Sequence, residues 1–178
     1  MRIVIPFSVL KKLYDSPQDR EIMGIVHTND QINYDRVLIS HDEENKSAKN
    51  ECRIENIVIG TVSFHTHPKI CYDIYKTEIG WPSLDDFNSF LREDRMKVLI
   101  VAAVEGVYII GKKEKITSAV VKEINLQYKT KISKKNISIP EYIKHMNEIC
   151  NNCAVVILFT KDKINKESPS AKIKMEVF

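Results

Sequence analysis

The sequence predicts an α+β protein, organised as an α/β sandwich in which helices flank one mixed β-sheet. Apolar, β-branched runs of strand length are interleaved along the chain with fewer amphipathic, helix-like segments. With 43% hydrophobic and 29% charged residues, the composition is that of a globular chain with a buried core. Its 178 residues suit one domain of about 150 residues with a small C-terminal addition, which needs neither disulfide nor metal merely to fold.

Four strands are predicted in the first part of the chain, because each segment is rich in apolar or β-branched residues. They cover residues 2–5, 21–27, 31–40 and 57–64. A helix is predicted from Val9 to Tyr14, where apolar side chains recur with a period near 3.6 residues, and Ser8 is its candidate N-cap. The polar segment 41–51 is predicted to be a surface loop.

The middle of the chain is predicted to contain a helix followed by a hairpin. Residues 69–81 are expected to be irregular, and residues 83–92 form a helix because their leucine and phenylalanine side chains share one face. The wholly apolar run 98–104 predicts a buried strand. Gly106 ends it, and residues 107–111 are predicted to pair back.

The C-terminal part is predicted to add one helix and up to three strands. The helix covers residues 140–150, with Pro140 in its first turn. Strands are expected at residues 116–121, 154–160 and 172–178, with polar connections at 129–135 and 161–171.

The N-terminus and the cysteines predict an intracellular, cytoplasmic protein, with the nucleus as a second location. The first apolar stretch ends at Pro6, too early for a signal peptide, and no apolar run approaches the ~20 residues of a membrane span. We therefore expect no membrane partner and a reducing compartment. All four cysteines are then expected to be free thiols, namely Cys52, Cys71, Cys150 and Cys153.

The net charge of +3 hides an asymmetry along the chain. Residues 1–110 carry 13 lysines and arginines against 17 acidic residues, whereas residues 111–178 carry 14 lysines against 7 acidic residues. This distribution excludes a uniformly basic nucleic-acid binder. The lysines of residues 111–135 are not interleaved with aromatic residues that could stack on bases, so a nucleic-acid partner is not favoured. The oligomeric state is not predicted.

A short motif at the end of the fourth strand predicts a metal site. His65 and His67 are two residues apart, so on a strand they point to the same face, and Pro68 ends the strand there. A third ligand could come from Asp86, which lies one turn into the next helix, with Asp85 as its rival. Two histidines and one aspartate leave a fourth position for water, which is typical of catalytic zinc.

Two further residues complete the chemistry that such a site needs. Glu21 begins a long strand and is the candidate general acid/base, while Ser83 could donate a hydrogen bond to a developing oxyanion. Each observation has a simpler interpretation: Ser83 and Asp86 also fit a helix-capping arrangement, and Glu21 could be an ordinary strand-edge carboxylate.

The order Glu, His-x-His-Pro, Ser-x-x-Asp resembles the JAMM (MPN+) motif of zinc-dependent deubiquitinating isopeptidases. The resemblance covers about residues 1–112 and implies a curved, cytidine-deaminase-like MPN/JAMM sheet architecture as a catalytic core, followed by a lysine-rich extension, 113–178, packed on or next to it. It also implies the roles of the five polar residues. His65, His67 and Asp86 are the zinc ligands, Glu21 the general acid/base and Ser83 the oxyanion stabiliser.

The resemblance implies hydrolysis of an isopeptide or peptide bond, with ubiquitin or a ubiquitin-like protein as substrate. Alternatives are a peptidase of the same type that acts on another substrate, and a non-catalytic MPN scaffold module. The segment 68–82 is longer than is usual in this family. Its aromatic side chains Tyr72, Tyr75 and Trp81 are candidate substrate-binding residues, unless the segment covers the site instead.

Overall fold

The computed structural model describes residues 1–16, 18–28, 37–39, 45–46, 51–52, 59–133 and 136–178. Its strands are β1 (Arg2–Pro6), β2 (Ile22–Thr28), β3 (Val37–Ile39), β4 (Asn45–Lys46), β5 (Val62–His67), β6 (Val98–Ala103), β7 (Gly106–Lys112), β8 (Ala154–Thr160) and β9 (Lys172–Glu176). The larger sheet has the order β3-β2-β5-β6-β7-β8, and β4 also pairs with β2. Strands β1 and β9 pair as a small antiparallel sheet.

The larger sheet is mixed, because β5 and β6 run parallel while its other pairs are antiparallel. A parallel pair needs a crossover connection, and two helices supply it between β5 and β6. The helices of the described chain are α1 (Phe7–Tyr14), α2 (Lys69–Tyr75), α3 (Leu84–Arg92), α4 (Ser118–Lys131), α5 (Ile139–Cys150) and α6 (Lys161–Lys166).

Each face of the sheet carries its own hydrophobic core, since successive strand residues point to opposite faces. On β6, Val98 and Ile100 belong to a core with α1, α6 and the small sheet. Leu99 and Val101 belong to a second core, with α3, α4 and α5. The predicted α+β class is therefore confirmed, and the layers are consistent with an α/β sandwich.

Most of the predicted elements are present within a few residues of their predicted bounds: β1, α1, β2, α3, β6, β7, α5, β8 and β9. The predicted N-cap of α1 is wrong. The helix begins at Phe7, one residue before Ser8, and its N-cap residue is Pro6, which makes no side-chain capping bond. The predicted strand 31–40 lies partly outside the described residues, and its described part is β3.

Four segments differ from the prediction. The predicted loop 41–51 contains the short strand β4, and the rest of that loop, apart from Glu51, lies outside the described residues. Residues 69–75 form α2 instead of an irregular stretch, and residues 161–166 form α6. The predicted strand 116–121 is wrong, because α4 begins at Ser118 and continues to Lys131, into the predicted connector. At the start of α4, the hydroxyl of its N-cap residue Thr117 accepts a hydrogen bond from the Val120 amide at 3.4 Å. The buried side chains recur at helical spacing, at Val121, Ile124 and Tyr128.

The C-terminal residues share sheets with the N-terminal ones. Strand β8 pairs with β7 along its whole length, and β9 pairs with β1. Helices α4 and α5 cover the face of the sheet that α3 also covers. The division into domains at residue 112 stays a prediction.

The cysteines correct one expectation. Cys52 and Cys71 form a disulfide bond, with Cα atoms 5.5 Å apart, so the prediction of free thiols is wrong for this pair. It failed because α2 brings together two cysteines that lie 19 residues apart in the sequence. Cys150 and Cys153 are free and buried, as predicted. None of the helices that the structure describes is long and apolar enough for a membrane crossing.

Candidate metal centre

The two histidines of the motif lie side by side at the end of β5. This strand is central, with β2 on one side and β6 on the other, so its position is fixed from both edges. His65 and His67 point to the same face, and their Nε2 atoms are 3.1 Å apart. His65 is buried and His67 is partly buried. The rings are therefore held close together, largely away from water.

Asp86, in the first turn of α3, brings its carboxylate to both rings. Its Oδ1 lies 3.2 Å from His65 Nε2, and its Oδ2 lies 3.6 Å from His67 Nε2. Two ligand atoms about 2.1 Å from a tetrahedrally coordinated ion lie about 3.4 Å from each other. The Nε2–Nε2 separation and the shorter aspartate contact are close to that edge length, although the two aspartate distances belong to different oxygens. One ligand atom of each residue lies within 4.8 Å of the other two, so His65, His67 and Asp86 could bind one metal ion.

Asp86 is also fixed by its own helix. The Ser83 amide donates to Asp86 Oδ2 at 2.6 Å, and the Asp86 amide donates to the Ser83 hydroxyl at 3.1 Å. This is a capping box, so the capping interpretation of these two residues is correct. Capping does not compete with metal binding here, because it orients the Asp86 carboxylate toward the histidines. Asp85, the rival ligand, is exposed.

The electrostatics of the cluster favour an ionised aspartate. Burial works to raise the pKa of Asp86, but the charge of His65 and its hydrogen bond outweigh burial and hold this pKa well below its usual range. Burial alone would lower the pKa of His65, but the charge of Asp86 and its hydrogen bond outweigh burial and raise this pKa above its usual value. For His67, burial outweighs Asp86, and its pKa is lowered. The ionised carboxylate is the form that binds a cation.

The second nitrogen of His67 has a defined partner. His67 Nδ1 lies 2.8 Å from the Gly80 carbonyl oxygen, which can only accept, so Nδ1 carries the proton. In the neutral ring, Nε2 then has the lone pair that a metal requires. The sequence analysis did not identify Gly80, because nothing in the segment 69–81 indicates which carbonyl returns to β5.

Glu21 lies at the entrance of this cluster. It immediately precedes β2, whose first amide, at Ile22, donates to the Thr66 hydroxyl at 3.0 Å, between the two histidines. Burial raises the pKa of Glu21, against the opposing effect of His65. The negative charge of Asp86 also raises the pKa of Glu21. Glu21 is therefore near the candidate ligands, as its predicted role requires.

A cleft of about 630 Å³ opens beside the cluster. Glu21 and the exposed hydroxyl-bearing Ser83 line it together with His67 and Asp86. A smaller cavity of about 150 Å³ reaches His65 and shares Glu21 and Asp86 with the cleft. All five predicted polar residues therefore lie around one location.

The three predicted substrate-binding aromatics all line the cleft, but in different environments. Tyr72 is buried, whereas Tyr75 is 64% exposed. Trp81 stacks on Tyr142 of α5 with ring centroids 4.5 Å apart. Tyr128 of α4 also lines the cleft, so the C-terminal segment contributes to its wall. Whether these side chains bind substrate stays a prediction.

Fold and site together define an α+β protein with a candidate metal centre of two histidines and one aspartate at the end of a central strand. Searches of protein-family models, of curated proteins and of solved structures found no match to this chain.

Proposed function

We propose that the protein is a zinc-dependent peptidase of the JAMM type, with the MPN-like sheet architecture that the motif implies. In this proposal it removes ubiquitin or a ubiquitin-like modifier by hydrolysing an isopeptide bond. The observation that carries the proposal is the convergence of His65, His67 and Asp86, from two separate elements, next to Glu21 in a cleft. Motif order alone does not require that convergence.

The donor set supports zinc as the metal. Two imidazole nitrogens and one carboxylate oxygen suit Zn²⁺, and three protein ligands are typical of catalytic sites, which keep a fourth position open. When bound, zinc supplies Lewis acidity that makes water nucleophilic near neutral pH. His67 is prepared for this role by the hydrogen bond from its Nδ1 to Gly80.

Glu21 is the proposed general acid/base. Its carboxylate takes a proton from the attacking water and later gives it to the nitrogen of the leaving amine. Ser83 is the proposed oxyanion stabiliser. Its oxygen accepts the Asp86 amide, which leaves the O–H group able to donate to the oxygen of the scissile carbonyl.

The charge of the cleft supports a basic substrate segment. Glu21, Asp85 and Asp86 line it and no lysine or arginine is among its described lining residues, so the cleft keeps a net negative charge even with a zinc ion bound. Such a cleft favours a positively charged chain near the scissile bond. A ubiquitin-like tail joined to a lysine side chain is the substrate that the JAMM resemblance implies. A JAMM-type peptidase acting on another basic peptide would use the same residues.

The test is incubation with di-ubiquitin chains of defined linkage, with and without a zinc chelator. We expect cleavage of at least one linkage, lost with chelator and restored by added zinc. If the protein cleaves a basic peptide library but no di-ubiquitin, the proposed substrate is wrong and the proposed zinc-dependent hydrolysis still holds. A protein that binds no zinc and cleaves nothing would be a scaffold module, and the proposal would be wrong.

A further inference from the structure

A carboxylate outside the motif is connected to the candidate metal centre. Glu105 lies in the turn between β6 and β7, and its side chain accepts three hydrogen bonds. Its Oε1 accepts from the Gly80 amide at 2.9 Å and from the Tyr108 hydroxyl at 2.7 Å, and its Oε2 accepts from the Tyr72 hydroxyl. Three donors from different elements hold this carboxylate in one orientation.

Gly80 links this carboxylate to a candidate ligand. Its amide donates to Glu105, and its carbonyl accepts from His67 Nδ1 at 2.8 Å. A Cβ atom at this position would overlap the ring and hydroxyl of Tyr72, so only glycine allows the close approach. The position of the Gly80 carbonyl is therefore set by Glu105 on one side and by Tyr72 on the other.

Tyr72 fastens the long segment between β5 and α3 to the turn between β6 and β7. Its hydroxyl donates to Glu105 and accepts from the Val104 amide at 3.0 Å. Burial, followed by the charge of Glu105, raises the pKa of both Tyr72 and Tyr108. Both phenols therefore stay protonated at neutral pH and act as donors.

We propose that Glu105 is a positioning residue for the metal: through Gly80 it holds the His67 imidazole in the orientation and tautomer in which Nε2 binds zinc. The inference rests on the proposed metal site. Its physical basis is that a histidine ligand needs a fixed partner for its other nitrogen, and that loss of such outer partners costs about 10- to 100-fold in metal affinity.

The first test is a zinc titration of the whole chain, in competition with a chromophoric chelator. Glu105→Gln keeps the shape of the side chain but removes its charge and one of its acceptors. Because the Gly80 carbonyl itself remains, we expect zinc affinity up to about 10-fold below wild type, at the lower end of what loss of a histidine ligand's direct partner costs. Glu167→Gln is the matched control, because Glu167 is exposed just after α6 and the formal change in charge is the same. The control should bind zinc as wild type does.

Tyr72→Phe is the second variant, which keeps the ring against Gly80 and removes only the hydroxyl. It tests the same network if Glu105→Gln does not fold. We expect its zinc affinity to lie between those of wild type and Glu105→Gln. Wild-type affinity in both variants would overturn the inference.

A second readout separates positioning from a general structural role. NMR of the zinc-loaded, ¹⁵N-histidine-labelled protein reports the His67 Nδ1–H proton directly. We expect a slowly exchanging signal in wild type and Glu167→Gln, and a shifted or lost signal in Glu105→Gln. Weaker zinc binding with an unchanged His67 signal would overturn the inference. If wild type itself binds no zinc, the proposed metal site fails first, so the two failures are distinguishable.

Discussion

Ser83 has two roles in this account, and substitutions can separate them. As the N-cap of α3, its hydroxyl oxygen accepts the Asp86 amide at 3.1 Å. As the proposed oxyanion stabiliser, the same hydroxyl would donate a hydrogen bond to the substrate oxygen. Alanine removes both roles, glycine removes the hydroxyl at a cost of only a few tenths of a kcal/mol in capping, and threonine keeps both.

The expected magnitudes differ enough to be measured. In Ser83→Ala, the bond from the Ser83 amide to Asp86 remains, so only half of the capping box is lost. This costs about 1 kcal/mol of stability, or about 2–4 °C in Tm for a chain of this size. Loss of an oxyanion donor costs about 100-fold or more in kcat. Ser83→Gly should therefore be nearly as stable as wild type and as inactive as Ser83→Ala.

The assay pairs thermal denaturation with kcat on the di-ubiquitin linkage that wild type cleaves best. Ser83→Thr is the control and should keep both stability and most of the activity, since Ser83 is exposed and its backbone is extended. If Ser83→Gly keeps kcat within about twofold of wild type, far less than an oxyanion donor contributes, Ser83 is only a helix cap. The proposed oxyanion role would then be refuted.

The remaining predictions concern the base, the disulfide and a buried lysine. Glu21→Gln should bind zinc as wild type does but lose turnover, whereas His65→Ala should lose both. Zinc titration and kcat check this, and full activity in Glu21→Gln would show that Glu21 is not the general acid/base. Replacing Cys52 and Cys71 by serine should lower the free energy of unfolding by about 3 kcal/mol, measured with urea, because the bond closes a short loop; an unchanged value would argue against that bond. Burial, then Lys97, lowers the pKa of Lys112 from 10.5 to about 8, so the unfolded chain binds more protons between these values and stability should rise with pH there. The rise should be smaller in Lys112→Met, and equal slopes for the two proteins would contradict it.

The sequence was sufficient for the centre of the site. The spacing of His65 and His67 determines that they share a face of a strand, and the period of a strand does not depend on tertiary context. Asp86 could be selected over Asp85 through the spacing of the motif that the sequence resembles, and the same position in the first turn of α3 also serves the helix cap. The apolar run of β6 predicted a buried strand because every one of its side chains favours burial whichever face it occupies, and the strand is fully buried.

The connections around the site could not be predicted, because they depend on contacts distant in sequence. Helix α2 has only seven residues, so its periodicity is too short to distinguish it from a loop. The bond between Cys52 and Cys71 depends on how that helix packs. Glu105 follows a strand in a tight turn, and nothing local indicates that its carboxylate meets Gly80, 25 residues before it.

The proposed metal centre is tested by the zinc content of the purified protein after dialysis against metal-free buffer. Wild type is compared with a variant in which His65, His67 and Asp86 are all replaced by alanine. We expect one zinc ion per wild-type chain and none in the variant, with both proteins folded by circular dichroism. Zinc absent from wild type after loading with excess metal, or bound equally by both proteins, would contradict the proposed metal centre.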